Sequence, residues 1–219
     1  MLEGMIYILR TGIPWRDLPE RFGPWSSVYT RWRRWERSGL WGRILADLSR
    51  RARGTTRFLD CTHIKLHQDG ANPVGGQTAQ AIGRTKGGLN TKLSALVDCM
   101  GRAVSLSLHI GSRADVRTTE SHLYWLRGRT LVTDKGFDSD ALRERVYYFG
   151  GSTCIPRRSN CHEARPFSRR LYRRRHRVEN FFGRIKRNRR LSTRYDKLAT
   201  TFFAFVVLAA ILDWLRYSI

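Results

Sequence analysis

The sequence predicts an α/β protein in which a mixed β-sheet is flanked by helices and preceded by a small all-α region. Residues 56–67 read as a strand with the period of two, whose two faces carry Phe58, Asp60, Thr62, Ile64 and Leu66 on one side and Leu59, Cys61, His63 and Lys65 on the other. The segments that follow alternate between strand-like and helix-like patterns, whereas the first 52 residues show only helical periodicity and turns. Five of the seven tryptophans lie within the first 41 residues, so this region also differs in composition.

The N-terminal region, residues 1–52, is predicted to consist of short helices separated by Pro- and Gly-containing turns. The pattern predicts the end of a helix over 1–10, a helix over 26–37 that Ser26 or Ser27 caps, and a helix over 40–51. Three basic side chains of the second helix are expected to face outward and to contact DNA: Arg31, Arg33 and Arg34. A basic helix among short helices is typical of a helix-turn-helix DNA-binding unit. A plain helical cap on the next domain explains the same pattern.

The second region, residues 55–219, contains the predicted sheet. In chain order we expect a strand over 56–67, a Gly-rich loop over 68–88, strands over 89–97 and 102–110, a helix over 114–127, a strand over 129–133, a helix over 138–149, a strand over 151–156, and a final helix over 198–215. This order fits the ribonuclease H fold. In that fold the first strand and the strand that ends at Asp134 lie side by side, so Asp60 and Asp134 would meet near the carboxyl ends of parallel strands.

A basic stretch from Ser168 to Arg194 holds eleven arginines, one lysine and a single acid, Glu179. Four of its side chains fall on one stripe of a helix: Tyr172, Arg175, Glu179 and Lys186. A neighbouring apolar stripe can pack on a core: Val178, Phe181, Phe182 and Ile185. The other arginines are expected to point elsewhere and to hold DNA by general charge: Arg173, Arg177, Arg184 and Arg187. Alternatively, Glu179 is only an intrahelical salt-bridge partner of Arg175.

The net charge of +23 predicts binding to a phosphate backbone. An anionic membrane is the competing partner, but the chain has too many aromatic residues and buried-looking strands for a simple surface peptide. The uncharged run from Phe202 to Leu212 is too short to span a bilayer, so we expect a buried helix and no membrane. The cysteines show no C-x-x-C spacing, which favours a reduced, cytosolic state. Cys154, Cys161 and His162 lack a fourth ligand for structural zinc.

Phosphoryl transfer on DNA requires divalent ions held by hard oxygen ligands. Asp60 in a strand, Asp134 at a strand end and Glu179 on a packing helix supply three carboxylates that only folding can bring together. Asp60 alone could be a polar edge residue and Asp134 alone a turn residue. Together they predict a site for Mg²⁺ or Mn²⁺ with two ions.

Three segments resemble insertion-sequence transposases of the DDE class, close to insertion sequence families four and five. These segments are FLDCTHIKLH around Asp60, TDKGFDS around Asp134, and YRRRHRVENFFGRIK around Glu179. The last segment contains the family signature Y-(2)-R-(3)-E-(6)-K. The N-terminal LRTGIPWRDLPERFGPWSSVYTRWRRWERSGLW resembles the segment that precedes the catalytic domain in family five, so the resemblance spans nearly the whole chain.

The resemblance implies a ribonuclease H-like catalytic domain that cleaves insertion-sequence ends and transfers the strand into target DNA. It implies that Asp60, Asp134 and Glu179 bind the metal ions and are catalytic, and that Tyr172, Arg175 and Lys186 contact phosphates. It also implies double-stranded DNA partners (terminal inverted repeats and target DNA), a homodimer or higher oligomer on DNA, and a prokaryotic, nucleoid-associated cytoplasmic location. Family members carry further residues before the point where this chain starts, so we expect the N-terminal region to be incomplete.

Two other functions fit the same residues. An inactive transposon remnant would bind DNA without cutting it, and a ribonuclease H-like nuclease or resolvase would cut nucleic acid without joining a 3′ end to a target.

Overall fold

The computed structural model describes residues 1–158 and 167–216. The α-helices are α1 (Leu2–Thr11), α2 (Trp25–Arg37), α3 (Leu40–Ser49), α4 (Asp115–Thr118), α5 (Asp140–Tyr148), α6 (Arg169–Tyr172), α7 (His176–Ile185), α8 (Arg189–Ser192) and α9 (Ala199–Arg216). The strands are β1 (Thr56–Leu66), β2 (Gly83–Thr85), β3 (Gly88–Val97), β4 (Ala103–Ile110), β5 (Thr130–Val132), β6 (Ser152–Cys154) and β7 (Thr193–Arg194).

Strand β1 lies in the middle of one mixed sheet, which runs β2–β3–β1–β5–β6, with β4 also paired to β3 and β7 to β1. The β1–β3 and β3–β4 pairs are antiparallel, and the β1–β5 and β5–β6 pairs are parallel. The predicted α/β class is therefore confirmed. The predicted pairing of the first strand with the strand before Asp134 is also confirmed, because Phe58 pairs with Val132.

The two faces of β1 bury different sets of side chains. Phe58 and Ile64 belong to a large core that also contains Val178 and Phe181 of α7, whereas Leu59 belongs to a smaller core on the other face. Successive side chains of a strand point to opposite faces. Asp60 and Thr62 therefore lie on the α7 face, between the two apolar anchors.

The N-terminal helices share the large core with the C-terminal part of the chain. Met5 of α1, Val28 of α2 and Leu45 of α3 belong to the same cluster of buried side chains as most of α9. At its centre the rings of Trp32 and Phe205 stack with centroids 4.0 Å apart and planes 20° apart. Within the described residues, α2 and α3 thus pack on α9, and α1 packs on α8 and α2. This packing is compatible with both the helical-cap and the helix-turn-helix interpretation of residues 1–52, so the DNA-binding role stays a prediction.

Helix α9 has the length and composition of a membrane span, but 61% of it is buried inside the fold. Its apolar side chains face the core on most sides because α3, α7 and β4 all pack against it. The expectation of a buried core helix is met by this packing.

Several local predictions were wrong. Helix α2 begins at Trp25 after Pro24, whose fixed φ suits a helix start, so neither Ser26 nor Ser27 is the cap. The loop over 68–88 contains strand β2, and the segment over 114–127 forms α4 followed by a 3₁₀-helix. The rejected zinc ligands Cys161 and His162 lie outside the described residues, and Cys154 is a buried free thiol.

Candidate active site

Strand β1 places Asp60 just beyond the stretch that pairs with β5. The parallel pairing ends at Phe58 and Val132, two residues before Asp60 and Asp134 respectively. Both oxygens of Asp60 are engaged: the Cys61 N–H donates to Oδ1 at 2.8 Å, and Arg175 Nη1 donates to Oδ2 at 2.8 Å. The side chain is 19% exposed, so the carboxylate is largely withdrawn from water.

Asp134 begins a one-turn 3₁₀-helix after β5, where its Oδ1 accepts a hydrogen bond from the Gly136 N–H at 2.9 Å. This short-range bond is the reason that an aspartate suits the position even without any ligand. The strand order nevertheless brings Asp134 close enough to Asp60 for its charge to act on that carboxylate.

Glu179 lies in the first turn of α7, and its side chain is 49% exposed. The predicted continuous helix is not observed. Residues Arg173–Arg175 form a 3₁₀ turn between α6 and α7, and α7 ends at Ile185 with Lys186 as its C-cap. The signature residues still share a side, because Arg175 contacts both Glu179 and the Tyr172 ring, and both Arg175 and Lys186 reach β1.

The Arg175 guanidinium joins two of the three predicted carboxylates. Its Nη1 donates to Asp60 and its Nη2 donates to Glu179 Oε1. The predicted pair of Glu179 with Arg175 is therefore present, and the structure adds Asp60 to it. One cation thus holds an acid of the sheet and an acid of α7 together.

The electrostatics of this cluster are dominated by burial. Burial raises the pKa of Asp60, and the charge of Asp134 raises it further, whereas the Cys61 N–H and the Arg175 guanidinium lower it. Burial by itself lowers the pKa of Arg175, but the carboxylates of Asp60 and Glu179 bring it above its ordinary value. The Asp60 carboxylate therefore lies in a poorly solvated place, where a neighbouring cation stabilises its charged form.

Lys186 approaches β1 from the C-terminal end of α7. Its Nζ donates to Thr62 Oγ1 at 2.6 Å and to the His63 carbonyl at 3.2 Å. Burial lowers the pKa of Lys186. Tyr172 lies beside the cluster with its ring centroid 6.0 Å from the Arg175 guanidinium carbon. Arg175 and Lys186 thus contact β1 at neighbouring positions of the same face.

The donor chemistry of the three acids suits a hard divalent ion, since carboxylate oxygens are the ligands that Mg²⁺ prefers. Among residues 1–158 and 167–216, however, no group of three or more acids, histidines or cysteines is close enough to hold a metal ion directly. Arg175 binds the same carboxylate oxygens that such an ion would need. The residues fit a metal ion chemically, and Arg175 competes with it.

The remaining basic residues divide into exposed and structural groups. Arg173 and Arg187 are exposed near the site. Arg31 and Arg34 are exposed on α2. The predicted outward orientation is wrong for Arg33, which donates to Glu36 and to Thr201 of α9.

Arg184 was also expected to hold DNA, but it is a structural residue. It binds the buried Asp213 carboxylate through Nε at 2.7 Å and Nη2 at 2.9 Å, and it also donates to the Gly101 carbonyl. Arg177, the other arginine of α7, is partly buried.

A supporting network around Asp138 was missed by sequence analysis. Arg143 Nη2 donates to Asp138 Oδ1 at 2.7 Å, and the Arg158 N–H donates to Asp138 Oδ2 at 3.0 Å. The Arg158 side chain donates to the carbonyls of Lys135 and Gly136. These bonds fix the turn that carries Asp134. The only sequence signal was the second aspartate of TDKGFDS, which a turn residue explains equally well.

Comparisons with known proteins identify the family of the chain. The model of the family described as "Transposase DDE domain" matches residues 51–214, and the model described as "Putative transposase of IS4/5 family" matches residues 1–45. A Brucella ovis protein named "Putative transposase for insertion sequence element IS6501" is 33% identical over 130 residues, which are 58% of this chain and 100% of that protein.

Two further relatives are matched over part of their length. A Burkholderia cepacia protein named "Insertion element IS402 uncharacterized 16.2 kDa protein" is 33% identical over 38% of this chain and 56% of its own. A Sinorhizobium fredii protein named "Uncharacterized protein y4sN" is 37% identical over 32% of this chain and 56% of its own. No solved structure matches the chain.

Proposed function

This chain belongs to the family of transposases with a DDE domain, and we propose that it cleaves DNA at the ends of an insertion sequence and transfers the strand into target DNA. The observation that carries the proposal is the Arg175 guanidinium, which joins Asp60 of the sheet to Glu179 of α7. This contact brings acids from two elements around one cation, and Asp134 acts on Asp60 as well. Three such carboxylates are the ligands that metal-dependent phosphoryl transfer uses.

Asp60, Asp134 and Glu179 are proposed as the ligands of Mg²⁺ or Mn²⁺, with two ions in the active complex. Bound there, such ions activate the attacking oxygen and stabilise the leaving oxygen of a phosphodiester. The protein contributes the position of the three carboxylates and the burial that keeps water away from Asp60. Asp138, through its hydrogen bonds with Arg143 and Arg158, keeps the Asp134 turn in place.

Arg175, Lys186 and Tyr172 are proposed to contact phosphates of the DNA. Arg175 presents a planar fork that can bind a phosphate as well as a carboxylate, so it can exchange one anion for the other. Lys186 offers a single charged donor beside Thr62. We infer that Arg175 leaves Asp60 and Glu179 when metal ions and DNA arrive. The guanidinium and the metal ions cannot occupy the same carboxylate oxygens at once.

Duplex DNA with the terminal inverted repeats, and target DNA, are the proposed partners. The exposed Arg31 and Arg34 of α2 and the exposed Arg173 and Arg187 near the site would contribute general charge. Joining two ends requires at least two active sites, which supports a homodimer or higher oligomer on DNA. The proposed location is the nucleoid in the cytoplasm of a prokaryotic cell.

The decisive experiment uses the Glu179→Gln variant. The glutamine side chain has nearly the same volume as glutamate but carries no charge. With duplex DNA from the flanks of its own gene and Mg²⁺ or Mn²⁺, the wild-type chain should cleave and the variant should not, while DNA affinity stays the same. Glu144→Gln, an exposed change on α5, is the control and should cleave normally. Undiminished cleavage by Glu179→Gln would remove Glu179 from the site.

The same assay separates the alternative functions. A wild-type chain that binds end DNA and never cleaves it would be an inactive DNA-binding remnant. A chain that cleaves but never joins a 3′ end to a second duplex would be a nuclease or resolvase.

A further inference from the structure

A basic cleft lies at the edge of the sheet where the parallel strands begin. Its volume is about 300 Å³, and its lining includes four arginines and two aromatic residues: Arg50, Arg57, Arg127, Arg129, Tyr124 and Trp125. Arg57 is the second residue of β1, and Arg129 immediately precedes β5. Asp60 and Asp134 lie at the other end of the parallel stretch, so the cleft is separate from the candidate active site.

The Arg57 side chain points to the opposite face of the sheet from Asp60. Arg57 alternates with Phe58 along β1, so its side chain leaves the strand on the Leu59 face, whereas Asp60 leaves it on the Phe58 face. A DNA strand that reaches the carboxylates of the active site therefore meets the other end of the parallel strands from a ligand of the cleft.

The floor of the cleft is a buried arginine with no carboxylate bound to it among residues 1–158 and 167–216. Arg57 is only 4% exposed and donates through Nη1 to the carbonyls of Arg53, Gly54 and Thr56. Its Nε has no hydrogen-bond partner within the described parts of the chain. Carbonyl oxygens accept hydrogen bonds but do not neutralise the charge, so the guanidinium has no bonded counter-ion among the described residues and lies in a poorly solvated place.

Asp98 offsets the charge of Arg57 only from a distance. Asp98 acts on Arg57 electrostatically, but its oxygens already accept from the Arg102 side chain and from the N–H groups of Arg53 and Met100. Burial lowers the pKa of Arg57, and the like charge of Arg129 lowers it further. Arg57 and Arg129 repel each other. An anion bound between them would weaken this repulsion and would supply the negative counter-charge that Arg57 lacks.

The rim of the cleft carries exposed aromatic and basic side chains. Tyr124 is 77% exposed and meets Trp125 edge-on, with ring centroids 5.3 Å apart. Arg127 beside it is exposed as well. Exposed aromatic rings beside arginines are the combination by which proteins contact nucleic acid, with the arginines on phosphates and the rings on sugars or bases.

We propose that this cleft binds the phosphate backbone of a second DNA segment, distinct from the segment that is cut at Asp60, Asp134 and Glu179. Arg127 and Arg129 contact its phosphates, Arg57 supplies positive potential from the floor, and Tyr124 contacts the neighbouring sugar or base. The inference deepens the proposed function, since a transposase has to hold more than one stretch of DNA.

The test uses the full chain with a photoreactive p-benzoylphenylalanine in place of Tyr124, and separately in place of Asn180, which is exposed beside Glu179. Duplex DNA is added without divalent metal, irradiated, and the cross-linked nucleotides are mapped. Both positions should cross-link, and to different nucleotides. Replacing Arg127→Gln and Arg129→Gln should lower the yield at position 124 about tenfold and the slope of log affinity against log salt by about two.

The charge-matched control, Arg117→Gln with Arg145→Gln, removes two exposed arginines elsewhere and should leave the yield at position 124 unchanged. Arg57→Lys, which keeps the charge of the floor, should preserve most of the cross-link. Cross-linking at position 180 without any at position 124 overturns the inference and leaves the proposed function standing, whereas no cross-link at either position overturns both.

A second experiment, with inorganic phosphate, distinguishes binding of a free anion from binding of DNA. Stabilisation of the wild-type chain by phosphate, absent in the Arg127→Gln and Arg129→Gln double variant and without a DNA cross-link at position 124, would assign the cleft to a free anion and overturn the inference. An unchanged cross-link in the double variant overturns it too.

Discussion

Arg175 and Asp60 lie 115 residues apart in the chain, yet Arg175 Nη1 donates to Asp60 Oδ2 at 2.8 Å. The same guanidinium also binds Glu179, so it acts as a cationic bridge between β1 and α7. This bridge determines how the acids respond to metal ions, to protons and to substitution.

Replacing Arg175→Gln should increase the affinity for divalent metal in the absence of DNA. The substitution removes a cation that occupies the carboxylate oxygens, and a charge-assisted hydrogen bond is worth enough to shift the dissociation constant about tenfold. Calorimetric titration with Mn²⁺ measures the change. Arg173→Gln, on the exposed side of the same turn, should titrate like the wild type. Equal or weaker Mn²⁺ binding by Arg175→Gln would contradict the idea of competition.

Replacing Asp60→Asn should stabilise the metal-free protein at neutral pH. Because burial, with a contribution from Asp134, raises the pKa of Asp60 above its ordinary value of 3.8, the folded state disfavours the charged form. The unfavourable contribution develops as pH rises through the raised pKa, and it vanishes below 3.8. Thermal melts from pH 8 downward should show a gain of about 2–4 °C for each kcal/mol of relief at pH 8, and this gain should shrink as pH falls.

Asp47→Asn is the matched control for this experiment, because the Asp47 side chain is 70% exposed. Its melting temperature should follow that of the wild type at every pH. A destabilised Asp60→Asn variant at pH 8 would mean that the Arg175 bond outweighs burial.

Replacing Arg184→Met should destabilise the fold, whereas Arg187→Met should weaken DNA binding. Arg184 is bound to Asp213, whose side chain is 4% exposed, and removing one partner of a buried ion pair costs about 3–5 kcal/mol. For a chain of this size the melting temperature should fall by roughly 10 °C. Arg187 is exposed, so its loss should weaken DNA binding and lower the slope of log affinity against log salt by about one, without changing the melting temperature. Equal melting temperatures of the two variants would contradict this division.

Replacing Trp32→Ala should lower the stability of the whole chain in a single unfolding transition. The ring stacks on Phe205 of α9, and truncating a buried tryptophan costs about 3–5 kcal/mol. Trp32→Phe should cost less, because it keeps an aromatic ring and removes an indole N–H that has no partner among the described residues. Calorimetry measures both variants. Two separate transitions in Trp32→Ala would show that the N-terminal helices unfold independently of α9.

The residues that could be predicted from the sequence are those that follow from local periodicity. The alternation along residues 56–67 predicted both the strand and the face on which Asp60 lies, and the stripe of α7 predicted its buried side. Arg33 and Arg184 were predicted wrongly because their partners, Thr201 and Asp213, lie on α9, and helical periodicity cannot reveal a partner distant in sequence. The metal-ligand and DNA-contact roles remain predictions, since they concern contacts with metal ions and DNA rather than contacts within the fold.

The contact of Trp32 with Phe205 also bears on synthesis of the chain. Helices α1 to α3 leave the ribosome first, while the α9 surface that they cover has still to be translated. At 5–20 residues per second that interval lasts on the order of ten seconds. During it the nascent chain exposes Trp32 and its apolar neighbours, so we expect the N-terminal helices to depend on chaperones until α9 emerges.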